Sequence, residues 1–188
     1  MPNNIYVKTV FLAVIAIAFT SCKNEVLPKP SSHLRLDYPV ASYATFENSC
    51  PFTFSMNADA IIKGQKECGF TITYPKMKAT VFLTYKTVNG DIDKLLRDAQ
   101  KLTYEHVIKA DDITEQPYIN NGKKVYGMFY NVSGNAATNA QFYATDSIKH
   151  FVTGSVYFYA KPNFDSIMPA ADYNKNDMQT LLESLKWK

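Results

Sequence analysis

The sequence predicts an α+β fold in which an antiparallel β-sheet is covered by α-helices, as a sandwich. Several short segments alternate apolar and polar residues and are separated by tight-turn signals, which is typical of antiparallel strands. Two longer segments carry apolar residues at helical spacing. The 188 residues include 13 tyrosines and 12 phenylalanines but only 7 glycines, a composition that favours a sheet with well-filled faces.

The first 21 residues are typical of a secretory signal peptide. Lys8 is their only charged residue, an uninterrupted apolar run occupies 10–19, and the small residues Thr20 and Ser21 follow. About ten apolar residues are too few to cross a hydrocarbon core of about 30 Å. The segment therefore predicts export and removal of residues 1–21.

Cys22 stands at the predicted cleavage point. This order resembles the signals of bacterial lipoproteins, and the resemblance implies a diacylglycerol on the Cys22 thiol and an acyl chain on the new amino group. Several chains hold a protein firmly, because each buried CH₂ contributes about 0.8 kcal/mol. The alternative is a leader that is merely removed, with Cys22 as a bystander. No other cofactor is expected.

Residues 22–33 are predicted to form a tether to the membrane. Pro28 and Pro30 favour extended geometry at about 3.1 Å per residue, which allows the domain to sit about 30 Å from the membrane. Surface-displayed lipoproteins of related bacteria tend to carry an acidic run after the lipidated cysteine. Lys23-Asn24-Glu25 is not such a run, which favours a domain that faces the periplasm.

The remaining residues, 34–188, have the length of one globular domain. Removal of the leader takes away only Lys8, leaving 19 basic and 17 acidic residues in 167. This balance is too even for a nucleic-acid binder. No second apolar stretch approaches membrane length, so the lipid is the only anchor that the sequence predicts.

Cys50 and Cys68 form an even pair in a chain directed to an oxidising compartment, and a disulfide between them is predicted. Closing about nineteen residues would stabilise the fold by roughly 3 kcal/mol. Two short strands folded back on each other around Asn57-Ala58-Asp59 would bring the sulfurs together. The alternative is a pair of reduced buried thiols; a zinc site is disfavoured because two thiolates do not complete four ligands.

The alternating patterns predict strands before and after a long helix. Strands are expected at 34–38, 70–74 and 79–85, and the first two end in the dipeptide Tyr-Pro, as proline geometry explains. Asp91 is the predicted helix N-cap. The apolar stripe of this helix comprises Ile92, Leu95, Leu96, Ala99, Leu102, Thr103, His106, Val107 and Ala110.

A strand series follows at 113–119, 124–132, 140–145 and 150–160, with short turns that predict antiparallel neighbours. A second amphipathic helix ends the chain, with Met178, Leu181, Leu182 and Leu185 on one face. In element order this arrangement resembles the PsbP-like fold.

The sequence contains no nucleophile elbow G-x-S-x-G, zinc-protease H-E-x-x-H, phosphate loop, S-x-x-K pair or EF-hand loop, which predicts a protein that is neither an enzyme nor a metal binder. His33, His106 and His150 lie far apart and lack a metal-ligand spacing. His106 neighbours Glu105 and is the best catalytic candidate. Consecutive helix residues point about 100° apart, however, so Glu105 cannot orient His106 easily, and a core role is favoured. His150, at the start of a strand, is expected to be solvated.

Two segments are candidate binding surfaces. Residues 132–139 form a small-residue run in which Asn135 lies at a turn whose amides could bind a polar ligand; a plain hairpin loop is the simpler interpretation. Tyr157 and Tyr159 share one side of a strand and could stack on a glycan such as peptidoglycan, although filling a sheet–helix interface is the commoner role. The full aromatic series is Tyr126, Phe129, Tyr130, Phe142, Tyr143, Tyr157, Phe158 and Tyr159.

Several longer segments carry a family resemblance over almost the whole mature chain. They follow the lipoprotein signal in the order EVLPKP (25–30), LRLDYP (34–39), CPFTF (50–54), LLRDAQKLTYEHVIKADDITEQPYIN (95–120), KKVYGMFYNVSGNAA (123–137), GSVYFYAKPNFDSIMPA (154–170) and ESLKW (183–187). The order and the sequences of these segments resemble those of the gliding-motility lipoprotein GldD family.

This resemblance implies a cell-envelope lipoprotein needed for gliding motility, in bacteria whose motility adhesins leave through the type IX secretion system. The one residue role that it carries across is lipid attachment at Cys22. We therefore expect a non-enzymatic protein on the inner leaflet of the outer membrane, facing the periplasm, that assists the gliding and secretion machinery by contacts with its components. The alternative is an envelope module that binds peptidoglycan or another glycan.

Overall fold

The computed structural model describes residues 37–105, 109–159 and 164–188. Within these ranges the chain forms ten strands, two helices and one 3₁₀ turn at Pro75–Met77. In chain order the elements are β1 (Tyr43–Phe46), β2 (Phe52–Asn57), β3 (Ile61–Lys66), β4 (Gly69–Tyr74), β5 (Ala79–Thr87), α1 (Ile92–Tyr104), β6 (Ala110–Asn120), β7 (Val125–Gly134), β8 (Thr138–Thr145), β9 (His150–Phe158), α2 (Phe164–Ser184) and β10 (Lys186–Trp187).

The strands form two antiparallel sheets. The small sheet has the order β1-β2-β10, and the large sheet has the order β3-β4-β5-β9-β8-β7-β6. Tight turns connect β3 to β4 and β6 to β7, as expected for antiparallel neighbours. The predicted α+β sandwich, with an antiparallel sheet covered by helices, is confirmed.

The main core lies between the large sheet and the layer formed by the small sheet and α2. Rings of the small sheet pack directly on the large sheet: Phe52, Phe54 and Phe46 lie 6.0, 5.8 and 5.4 Å from Phe70, measured between ring centroids. Met178, Leu181 and Leu182 of α2 and Leu185, just beyond its end, belong to the same buried cluster. The apolar face predicted for the last helix is therefore the face that closes the core.

Helix α1 covers the other face of the large sheet. Val152 belongs to the main core, whereas its neighbour Phe151 packs against Leu95 and Val88 in a second cluster. Because successive strand residues point to opposite faces, α1 must lie across the sheet from α2. Strand β8 is consequently buried on both faces along most of its length.

The disulfide between Cys50 and Cys68 is present, with the two Cα atoms 5.5 Å apart. The strands that it encloses, β2 and β3, do not pair with each other, so the predicted two-strand hairpin is wrong. Strand β2 pairs with β1 and β10, while β3 pairs with β4. The bond therefore links the small sheet to the large sheet, and the core between the sheets keeps β2 and β3 in separate layers.

Two further sequence predictions need correction. Asp37 and Tyr38 are not part of a strand, and the first strand is β1; residues 34–36 lie outside the described ranges. Helix α1 ends at Tyr104, and Ala110 begins β6, where pairing with Gly134 replaces helical bonding. Asp91 is the N-cap residue of α1, as predicted, and its carbonyl oxygen accepts from the amides of Lys94 and Leu95; its side chain accepts from the amide of Asn89 and makes no capping bond.

Candidate functional site

Two Tyr-Pro dipeptides, Tyr38-Pro39 and Tyr74-Pro75, line one cavity of about 160 Å³, the Tyr-Pro cavity. The second dipeptide lies where β4 ends and the 3₁₀ turn begins, because the fixed φ of proline suits the first position of such a turn. The remaining wall is formed by Asp59, Ile61, Lys76 and Met77. Each dipeptide taken alone is typical of a strand end; the folded chain brings the two together in space.

A buried polar cluster adjoins this cavity. The carboxylate of Asp177 on α2 accepts hydrogen bonds from the hydroxyl of Tyr43 (2.6 Å) and from the side-chain amide of Asn57 (2.9 Å). Asn57 also donates to the hydroxyl of Tyr173 at 2.9 Å. The Tyr173 ring lies 5.4 Å from the ring of Tyr38, so the cluster and the cavity share a wall.

The cluster favours protonated tyrosines. Burial, followed by the hydrogen bond to Asp177, raises the pKa of Tyr43 to about 12. Burial also raises the pKa of Tyr74 well above its usual value, and the negative charge of Asp177 acts in the same direction. These phenols therefore stay neutral and act as donors at physiological pH. Such an arrangement fixes the small sheet, α2 and the cavity wall relative to one another.

Asn174 joins α2 to the 3₁₀ turn. Its side-chain amide donates to the carbonyl oxygen of Ala170 at 2.9 Å and lies 3.2 Å from the sulfur of Met77, which lines the Tyr-Pro cavity. Asn174 is fully buried, and its Oδ1 has no hydrogen-bond partner within the described ranges. The side chain of Asn174 on α2 therefore helps to position Met77 in the cavity wall.

Sequence reasoning missed Tyr43, Asn57, Asn174 and Asp177. A signal for two of them exists in α2, because Asn174 and Asp177 fall on the same helical stripe as Ala170 and Leu181. Polar residues on an apolar stripe must find hydrogen bonds inside the protein. Their partners on β1, β2 and the 3₁₀ turn come from distant sequence and carry no comparable local signal.

The residues of the aromatic series lie in different environments. Phe129 and Phe142 belong to the main core, and Tyr130 is buried. Tyr157 packs edge-on against Phe82 with 5.7 Å between ring centroids, and burial raises the pKa of its hydroxyl. Tyr159 is 68 % exposed. Of the two tyrosines proposed for glycan stacking, only Tyr159 therefore presents most of its surface to solvent.

The segment 132–139 contributes to a second, more polar cavity of about 130 Å³. Val132, Ser133 and Asn139 lie on one side of it, and α2 supplies Asp172 and Lys175, which form an ion pair at 2.7 Å. Asn135, the residue singled out by the sequence, is exposed in the turn between β7 and β8 and is not part of this lining.

His150 is not simply solvated, contrary to the sequence prediction. Its Nδ1 lies 2.8 Å from the hydroxyl of Tyr85, and its ring stacks on Trp187 at 5.1 Å. His150 therefore fastens the last strand to the large sheet. Cys22, His33 and His106 lie outside the described residues.

Two further properties of the described residues bear on site chemistry. Within 37–105, 109–159 and 164–188, no three His, Cys, Asp or Glu side chains are grouped so that they could hold a metal ion. In the same ranges, neither helix combines the length and the apolar character that crossing a membrane requires.

Comparison with known proteins identifies a family. The family described as gliding motility lipoprotein GldD matches residues 23–187, from the residue after Cys22 to the second-last residue of the chain. A search of curated proteins finds no match. The family match covers both sheets, both helices, the disulfide and the Tyr-Pro cavity. The chain belongs to the gliding motility lipoprotein GldD family.

Proposed function

We propose that this protein assists the assembly or stability of the gliding and type IX secretion machinery through contacts with its protein components. The observation that carries the proposal is the family match over residues 23–187, which makes the chain a membrane-anchored envelope lipoprotein of gliding motility. The proposal includes a diacylglycerol and an acyl chain on Cys22, and a domain that faces the periplasm from the outer membrane.

A role by contact, without catalysis, fits the chemistry of the described site. The Asp177 carboxylate is engaged by neutral donors from Tyr43 and Asn57. It lies where two sheets and a helix pack together. This packing can keep the protein surface rigid, and contact with partner proteins needs a rigid surface.

The outer face of β4 and β5 is one surface available for such contacts. Phe82 is 39 % exposed there beside Tyr157, and a shallow groove around it includes Gln65, Lys66 and Thr84. Aromatic residues are enriched at protein interfaces because they bury much apolar area with few rotatable bonds. Leu102 on α1 is equally exposed, at 39 %, and offers a matched comparison.

The test is site-specific photocrosslinking in living cells, with a photoreactive side chain placed at Phe82 or at Leu102. The proposal predicts adducts with motility or secretion components from Phe82 and fewer from Leu102. In parallel, Cys22→Ala is expected to release the chain from the membrane and to impair gliding. Full motility of a released Cys22→Ala chain would overturn the anchored role.

A further inference from the structure

Exposed apolar residues gather at one end of the sandwich. Val40 is 98 % exposed and follows Pro39 of the Tyr-Pro cavity; Ile61, on the cavity wall, is 52 % exposed. Pro75 is exposed on the same wall. Single exposed apolar residues are common on proteins, but a contiguous group usually marks a contact surface.

Strand register defines this end, which we call the Tyr-Pro end. Ile61 pairs with Thr73, Tyr74 pairs with Ala79, and Ala79 pairs with Phe158. The amide of Tyr159 donates to the carbonyl oxygen of Lys78 at 2.8 Å, which places the exposed Tyr159 beside the 3₁₀ turn. The Tyr-Pro end therefore also carries an exposed aromatic ring.

The described chain begins at the same end, with Asp37 and Tyr38. Only a short stretch of sequence separates Asp37 from Cys22, and even a fully extended chain advances no more than about 3.5 Å per residue. A bilayer that holds Cys22 thus keeps the Tyr-Pro end within reach. Strand β9 runs between Phe158 and His150, so the opposite end, with Trp187 stacked on His150, lies the full length of that strand farther away.

Two exposed lysines at the Tyr-Pro end can contact lipid phosphates. Lys76 and Lys78 flank Met77; the acidic residues at this end are Asp59 on the cavity wall and Asp37, where the described chain begins. Lysines are attracted to the phosphates of anionic lipids, and tyrosines prefer the boundary between water and hydrocarbon. Exposed Ile119 and Ile148, by contrast, lie at the opposite end, and neither lines a described cavity.

We propose that the Tyr-Pro end is the bilayer-facing surface of the domain, with Val40, Ile61 and Tyr159 in the headgroup region and Lys76 and Lys78 against lipid phosphates. The inference rests on the anchor at Cys22 proposed above. The reach of the extended tether is then an upper limit on the separation between domain and membrane. Because the anchor keeps the domain close to the lipid, a weak intrinsic affinity of this surface is sufficient.

The test uses the lipidated full-length mature chain in vesicles of phosphatidylethanolamine and phosphatidylglycerol that contain a brominated lipid. In a Trp187→Phe background, tryptophan is introduced by Val40→Trp or, as the matched control, by Ile148→Trp. A side chain seated in the headgroup region lies close to the bromine atoms. Quenching is therefore expected to be about twofold or more stronger for Val40→Trp than for Ile148→Trp, because Ile148 lies at the far end.

Equal quenching of the two variants on vesicle-bound chain would overturn the proposal while leaving the anchor intact. Failure of the lipidated chain to float with the vesicles would instead refute the anchor, and the docking surface with it. A photoreactive side chain at Val40 that labels protein in cells, with no lipid adduct, would assign the Tyr-Pro end to a protein partner and also refute bilayer docking.

Discussion

The hydroxyl of Tyr43 lies 2.6 Å from Oδ1 of Asp177 and donates a hydrogen bond to it, across 134 residues of sequence. The bond joins the edge strand of the small sheet to the last helix. Asp177 is only 4 % exposed and also accepts from Asn57, which is 1 % exposed. Loss of the carboxylate therefore removes the acceptor of the Tyr43 hydroxyl and one of the two acceptors of the buried Asn57 amide.

We expect Asp177→Ala to lower the free energy of unfolding by about 2–3 kcal/mol, because it removes two hydrogen bonds to a buried carboxylate, one of them from the buried Asn57 amide. Tyr43→Phe removes one donor at a partly exposed position and is expected to lower the free energy of unfolding by about 1 kcal/mol. Urea unfolding followed by circular dichroism measures both. Asp172→Ala, on the exposed side of α2, is the control; equal stability of the two alanine variants would refute the role of the cluster.

Stability should decline at alkaline pH. Tyr43 and Tyr74 have folded-state pKa values raised above those of the unfolded chain, so the folded state keeps protons that the unfolded state loses. Their contribution is complete below about pH 10 and is lost as the pH rises through the folded pKa, about 12 for Tyr43. Urea midpoints at stepped pH, with tyrosinate absorbance, measure this decline. A midpoint unchanged between pH 9 and 11 would contradict it.

Reduction of the disulfide should loosen the contact between the two sheets. A Cys50→Ala, Cys68→Ala double variant is expected to lose about 3 kcal/mol of stability, from the greater freedom of the unfolded chain. Hydrogen exchange should show the added opening at β2 and β3, with β7 and β8 less affected. Exchange rates that rise equally in all four strands would argue against a local link between sheets.

Gly154 is required by the ring of Phe142. The two residues are register partners on β9 and β8, and a Cβ added at Gly154 would lie 2.3 Å from the Phe142 ring. Gly154→Ala is expected to cost about 2 kcal/mol, since the ring is only 2 % exposed and has to shift within the packed core. Thermal unfolding of Gly122→Ala is the comparison: its nearest neighbour is a side-chain oxygen 3.6 Å away. Similar melting temperatures for both variants would exclude this packing role.

Much of the fold follows from local sequence patterns. The alternation at 79–85 and the turn signal at 120–122 identify β5 and the β6–β7 hairpin, because one-sided burial imposes a two-residue period. The end of α1 does not follow from pattern. Ala110 continues the helical spacing, yet strand pairing with Gly134 overrides it. The spacing of apolar residues within one segment carries no information about pairing with a later strand.

The site was less accessible to sequence reasoning than the fold. The even cysteine count pointed to the disulfide, but the pairing partners of β2 include the last strand, β10, which comes from the far end of the chain. The β3–β4 turn is also hard to predict from sequence, because its two residues with positive φ, Glu67 and Cys68, are not glycines. Likewise, proline geometry explains each Tyr-Pro dipeptide alone, and only the folded chain shows that they share a cavity.

We propose that this folded domain works from a membrane to which lipid on Cys22 holds it. The most direct measurement is intact mass spectrometry of the protein purified from the membranes of gliding cells, with fragmentation of its amino terminus. We expect a chain that starts at Cys22 and carries the mass of a diacylglycerol and one acyl chain. A chain that keeps residues 1–21 and has a free Cys22 thiol would contradict it.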